Sequence, residues 1–151
     1  MLKVGDSAPD FRGTDQNGKT VSLDDLVKES AVVLYFYPKD FTPVCTAEAC
    51  LFRDAGKELA EAGLRVVGVS SDDGESHKKF AAKHQIDFPL LSDADRTIQK
   101  AYEARQVLGF MPKRVTYVID RNKKIRGAVH SELSADKHLA AVRAAFETVR
   151  S

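Results

Sequence analysis

Three continuous apolar runs punctuate the chain. Ala31 to Tyr37 reads Ala-Val-Val-Leu-Tyr-Phe-Tyr, which is β-branched and aromatic throughout. A strand buried on both faces needs that pattern, because neither side of its pleat meets water. Leu64 to Ser70 and Val115 to Ile119 are runs of the same kind. Asp120-Arg121-Asn122-Lys123 then supplies a turn, and Lys124 to His130 is expected to return as an antiparallel partner. Earlier, Asp10 to Leu23 carries Gln16-Asn17-Gly18-Lys19 at its centre and predicts a small N-terminal hairpin.

Helical periodicity fills the gaps. Glu75 to Gln85 puts Phe80 and Ala81 on one side and His and Lys on the other. The C-terminal run aligns Leu139, Val142, Phe146 and Val149 on one stripe, with Ser134 as its N-cap. A further helix is predicted from Pro43 to Ala62, with Thr42 as N-cap, Pro43 at the first helical position and Gly63 as C-cap. Strands alternating with helices, closed by a hairpin and a helix, predict an α/β sandwich around a mixed sheet. The crossover between the first two core strands should be right-handed and pass through the Pro43 helix.

The chain has 151 residues, which fits one domain over residues 1–151. Lys plus Arg number 23 against 22 for Asp plus Glu, so bulk charge gives no grip on nucleic acid or a membrane surface. No run approaches the roughly 18 apolar residues of a membrane span. Met1 to Asp6 lacks the apolar core of a secretory signal, so a cytoplasmic location is expected. Two cysteines do not make a disulfide framework.

Their placement carries more information than their number. On the predicted register, Cys45 sits in the first turn of the Pro43 helix, among unpaired backbone N–H groups and at the positive end of the dipole. A thiol there is biased toward its reactive thiolate. Cys45, Phe52 and Leu59 share one helical stripe, so Cys45 should face the protein body at its edge. Cys50 is rotated by roughly 140° from Cys45, toward Thr46, Asp54, Lys57 and Glu61, a solvated face. In an intact helix the two Cα atoms would lie roughly 8.6 Å apart. A disulfide tolerates less than about 7 Å, so bridging them would require the helix to unwind locally.

Several chemistries use such residues. A metal module would need further ligands at metal spacing, and Cys-x4-Cys with four scattered histidines does not supply them. A dithiol oxidoreductase normally places Cys-x-x-Cys at a helix start, where both sulfurs can meet without unwinding. A binding or chaperone protein with a redox switch stays open on the residues alone. On the plainest reading, Cys45 is a small buried hydrophobe, Thr42 only a cap, and Glu48 and Arg114 surface charges.

Pro38-x-x-x-Thr42-x-x-Cys45 resembles the active-site motif of the peroxiredoxins. Cys45-Thr46-x-Glu48-x-Cys50, followed by Phe52-Arg53-Asp54, is similar to the bacterioferritin comigratory, or Q-type, subgroup. Val4-Gly5-Asp6-x-Ala8-Pro9-Asp10-Phe11 and Arg114-Val115-Thr116-Tyr117-Val118-Ile119-Asp120 match the family as well. Only the stretch from Tyr102 to Arg114 is shorter than the family pattern. The resemblance implies a thioredoxin-like fold with an N-terminal extension and reduction of hydrogen peroxide and organic hydroperoxides. It casts Cys45 as the peroxidatic and Cys50 as the resolving cysteine, joined in an intramolecular disulfide. Arg114 and Thr42 would hold the thiolate and the peroxide, Pro38 would shape the loop and shield the site from water, and Glu48 would orient Arg114. Electrons would come from thioredoxin or a glutaredoxin-like dithiol protein. The resemblance further implies a monomer that needs no metal or organic cofactor.

Overall fold

The computed structural model describes residues 1–106, 111–146 and 149. At its centre is the longest apolar run: every residue of β3 (Ala31–Phe36) is buried. β3 runs parallel to β4 (Leu64–Ser70) on one side and antiparallel to β6 (Val115–Ile119) on the other. Beyond β4 lies β5 (Leu90–Ser92), and beyond β6 lies β7 (Ile125–His130). The expected N-terminal hairpin forms from β1 (Arg12–Thr14) and β2 (Thr20–Ser22) and joins β5 where Thr14 meets Ser92. Among the described residues the sheet therefore has seven strands in the order β2-β1-β5-β4-β3-β6-β7. This is the mixed, thioredoxin-like sheet with a hairpin extension.

The helices are α1 (Leu23–Leu26), α2 (Pro43–Asp54), α3 (Gly56–Glu61), α4 (Gly74–His84), α5 (Thr97–Ala101) and α6 (Ala135–Ala144). α6 is capped as expected, with Ser134 Oγ accepting from Lys137 N at 3.3 Å. Leu139 and Val142 are buried, and Phe146 and Val149 pack against the same core. Two expectations need correction. The single helix from Pro43 to Ala62 is two helices that meet at Ala55, where Gly56 follows and the backbone has little side-chain constraint. Thr42 begins α2, but its hydroxyl donates to Lys39 O at 2.9 Å instead of capping an N–H. α1, β5 and α5 lack a sequence counterpart, because three to five residues are too few to show a period. Val107 to Phe110, within the short stretch before Arg114, lie outside the described residues.

Strand alternation sends side chains into two cores. Val32, Leu34 and Phe36 enter one, with Tyr117 and Ile98. Val33, Tyr35 and Tyr37 enter the other, with Cys45, Phe52, Leu59, Phe80 and Val142. In this second core the Tyr35 ring lies 5.0 Å from Phe52 and 5.4 Å from Tyr37. Such ring pairs contribute about 0.5–1.5 kcal/mol each beyond area burial. Gly68 on β4 makes room for them, since a Cβ there would meet Tyr35 Cζ and Leu90 Cδ2 at 2.9 Å. Cys45 thus sits on an aromatic floor that belongs to the sheet.

Candidate active site

Sheet register explains how residues distant in sequence meet. Phe36, the last residue of β3, pairs with Val115, the first of β6. Arg114 therefore lies level with Tyr37, where the chain leaves the sheet for α2. Between them runs Pro38 to Thr42. Asp40 there is buried, and Phe41 adopts a left-handed φ of 68° just before the helix begins. Few non-glycine residues accept that conformation, so the surroundings must hold it. Phe41 stacks edge-on against Phe80 at 5.2 Å. Asp40 accepts from Tyr37 Oη at 2.6 Å and Ser76 Oγ at 2.8 Å, and lies 2.7 Å from His77 Nδ1. This knot fixes the loop that aims α2.

Cys45 is the third residue of α2 and only 1% exposed, so it lies inside the second core and not merely at its edge. Arg114 is buried too, and its guanidinium divides its donors among three acceptors. Nη2 donates to Cys45 Sγ at 3.1 Å, Nη1 to Glu48 Oε1 at 3.1 Å and Nε to Glu132 O at 3.1 Å. Its backbone N–H donates to Glu132 Oε2 at 3.0 Å. Burial alone would push the arginine down, but the charges of Cys45 and Glu48 outweigh that and hold it up. Glu48, one helical turn from Cys45, is fully buried. Burial raises its carboxyl to about 8, with Arg114 offsetting only part of the rise. Neither residue is the surface charge of the plainest reading.

Of the six expected site residues, the structure joins Cys45, Arg114 and Glu48 by direct contact. Thr42 and the half-buried Pro38 lie in the entering loop. Cys50 stands apart. Its thiol is free and half-buried, in a groove with Val44, Ala47 and Leu51 of α2, Leu133 just before α6 and Asp136 in its first turn. Its face is thus partly apolar, a correction to the wholly solvated face expected. Phe52 is buried beside Tyr35, as its place on the stripe predicts, and Arg53 Nη1 donates to His84 O at 2.6 Å, so the end of α2 is anchored.

Sequence reasoning missed the wall behind Arg114. Glu132, Ser131, Thr116 and His138 complete it. His138 Nε2 lies 2.9 Å from Ser131 O, and its Nδ1 lies 2.6 Å from Thr116 Oγ1 and 3.3 Å from Glu48 Oε2. One signal existed: His138 and Val142 are four apart on α6, so His138 shares the buried stripe. As for metals, Asp40, Asp72 and His77 bring ligand atoms within 4.8 Å of one another. Those atoms are already engaged by Ser76, Ser70, the Asp40 N–H and Leu91 O.

A buried thiol in a first helical turn, bonded to a buried arginine on a thioredoxin-like sheet, defines a thiol-dependent peroxidase. The chain belongs to the AhpC/TSA family, whose model matches residues 4–128, and within it to the Q-type, or bacterioferritin comigratory, peroxiredoxins. The crystal structure of peroxidoxin BcpB from Mycobacterium tuberculosis superposes with a TM-score of 0.92 at 41% identity, covering 100% of both chains. Chloroplastic peroxiredoxin Q of Arabidopsis thaliana is 43% identical over 91% of this chain, which spans 64% of that longer protein. The Xanthomonas campestris bacterioferritin comigratory protein, studied for alkyl peroxide reduction, superposes with a TM-score of 0.82 at 28% identity, covering 91% of this chain and 90% of its own. Among the described residues, no helix is long and apolar enough to cross a membrane.

Proposed function

We propose that residues 1–151 form a single peroxidase domain in which Cys45 is the peroxidatic cysteine and Cys50 resolves it. The observation that carries this reading is the guanidinium of Arg114, which touches Cys45 Sγ and Glu48 Oε1 at 3.1 Å each. The thiolate of Cys45 attacks one peroxide oxygen. An S–O bond forms, the O–O bond breaks, and sulfur gives up two electrons as a sulfenic acid. The leaving hydroxide or alkoxide takes a proton and departs as water or alcohol. Arg114, fixed in place before the reaction, stabilises the thiolate and then the charge shifting to the leaving oxygen. Glu48 orients Arg114, and Thr42 and Pro38 shape the mouth of the site.

Resolution follows. The Cys50 thiol condenses with the sulfenic acid, forming an S–S bond and releasing water. A dithiol protein, thioredoxin or a glutaredoxin-like donor, then reduces the disulfide by thiol exchange. Hydrogen peroxide and small organic hydroperoxides are the substrates, alkyl peroxides being in keeping with the Xanthomonas relative. The protein works as a monomer in the reducing cytoplasm. Peroxide consumption coupled to a thioredoxin system tests this reading. Cys45→Ser should lower turnover at least about a thousandfold while leaving the fold intact. Turnover surviving in that variant overturns the assignment.

A further inference from the structure

Glu48 has two carboxylate oxygens, and only one is accounted for. Oε1 accepts from Arg114. Oε2 is buried and has no hydrogen-bond partner among the described residues. A bare carboxylate oxygen in such a place is costly, so a proton or a donor is needed. The nearest candidate is His138 Nδ1 at 3.3 Å.

The tautomer of His138 follows from its other nitrogen. Ser131 O can only accept, so Nε2, at 2.9 Å, carries a hydrogen. Nδ1 is then either bare or protonated. If it is bare while Glu48 is ionised, its one lone pair accepts from Thr116 Oγ1 at 2.6 Å and the buried Oε2 of Glu48, 3.3 Å away, is left with no donor. One proton on the pair removes the conflict, whether it sits on Oε2 or on Nδ1. Nδ1 has one position to offer: with the proton on Oε2 it accepts from Thr116 Oγ1 at 2.6 Å, and with the proton on Nδ1 that one hydrogen is shared between Thr116 Oγ1 and Glu48 Oε2.

Charge counting gives the same answer. Arg114 contributes +1 and a Cys45 thiolate −1. The Glu48–His138 pair adds zero with one proton and −1 with none, and a buried net charge is disfavoured. We propose that Glu48 and His138 together hold one proton while Cys45 is a thiolate, and that His138 is a positioning residue through which this shared proton keeps Arg114 committed to the sulfur. The proposal rests on the assignment of Cys45 as the reactive thiolate.

The surroundings agree. Burial raises Glu48 to about 8. Burial also pushes His138 down, assisted by Arg114 and His130 and opposed by Ser131 O and Glu132. The other titratable or charged groups facing the pair are Cys45 on α2, Tyr35 on β3, Arg114 before β6, His130 on β7 and Glu132 after it. His130 and Glu132 are 44% and 43% exposed and screened by water, and the Tyr35 hydroxyl is held neutral by burial. Above the pH at which the pair loses its proton, the negative charge of Glu48 is no longer offset within the pair and competes with the thiolate for Arg114, so the thiolate loses support. The reaction should therefore slow on the alkaline side.

The test is an NMR titration of the His138 ring nitrogens and the Glu48 carboxyl carbon in the reduced protein and in Cys45→Ser, which carries no thiolate. Removing one negative charge makes the shared proton easier to lose. The pair's titration should therefore move down by about one unit or more in Cys45→Ser. An unchanged midpoint overturns the proposal, whatever the peroxidase assay shows. Titrating the Cys45 thiolate by its ultraviolet absorbance in the same reduced protein separates failure of the proposal from failure of the Cys45 assignment. As a second readout, single-turnover oxidation by hydrogen peroxide should fall several-fold on the alkaline side in the intact protein and stay level in Glu48→Gln. His138→Gln should move that limb, and in the Glu48→Gln background it should change nothing further. If His138→Gln alters only thermal stability and not the pH profile, His138 is structural and the proposal fails.

Discussion

The two cysteines of α2 lie five residues apart in environments that differ in nearly every respect. Cys45 is buried, bonded to a guanidinium, and preceded by a loop tied to α4 through Asp40, Ser76 and His77. Cys50 is half-buried on a groove between α2 and the chain entering α6, with a free thiol. The first environment sets its thiol against a fixed cation, and the second leaves its thiol on an open groove. Glu48 links the two. It lies on the turn between the cysteines, yet its carboxylate is held by the arginine that holds Cys45. On the proposed mechanism, oxidation would turn the Cys45 thiolate into a neutral sulfenic acid, weaken its hold on Arg114 and so loosen the turn carrying Glu48 and Cys50 from the same point.

Arg114→Ala should have the largest effect on this contrast beyond loss of Cys45 itself. It should slow the oxidation of Cys45 by about 10²–10³-fold, the usual loss when a fixed donor to developing charge is removed. It should also destabilise the fold by about 3–5 kcal/mol, because Glu48 is left buried without its partner. Adding Glu48→Gln should restore much of the stability and none of the rate. Stopped-flow oxidation and denaturant unfolding measure the two separately.

Cys50→Ser sharpens the contrast from the other side. The first oxidation of Cys45 should proceed within a few-fold of the unmodified rate. The sulfenic acid should then persist, visible by mass spectrometry after trapping, and turnover should need a small thiol. A variant that cycles normally with a protein dithiol would make Cys50 a bystander.

Hydrogen exchange on the oxidised protein comes next. Spacing alone suggests unwinding from Thr46 to Arg53. Phe52, buried beside Tyr35, and Arg53, bonded to His84 O, narrow that range. Exposing Phe52 would cost about 1.5–3 kcal/mol, so the faster amides should cluster from Thr46 to Leu51, with Phe52 as the pivot. Equal exchange in both redox states would remove the difference between the two halves of the helix.

The smallest effect belongs to Thr42→Ala. A working N-cap is worth about 1 kcal/mol, and the Thr42 hydroxyl donates to Lys39 O instead. The stability loss should fall below that figure by thermal unfolding, with only a modest change in rate.

Much of this was legible in the chain because the informative segments obey simple periods. β3, β4 and β6 are continuous apolar runs, and the pairing of Phe36 with Val115 brings Arg114 to Cys45 once those strands are adjacent. What sequence could not supply was the third dimension of polar groups. His138 and Thr116 read as ordinary positions until α6 packs over β6. Asp40 and His77 are 37 residues apart and meet only through the placement of α4 on the sheet. The break at Ala55 was hidden because Ala and Gly interrupt a helical period without visibly contradicting it.

That break has a consequence for redox poise. Because α2 ends at Asp54 and α3 is separately seated by Leu59, unwinding near Cys50 can stop before it reaches the helix docked on β4. If Cys45 and Cys50 join in a disulfide, the oxidised form would give up on the order of three backbone hydrogen bonds, or about 2–4 kcal/mol. For a two-electron couple, about 1.4 kcal/mol corresponds to about 30 mV. The melted turn would therefore raise the reduction potential of such a disulfide by about 40–90 mV over one formed without cost. On the proposed mechanism, the helix that hides the thiol at rest would act, once oxidised, as a spring that draws electrons in from the donor.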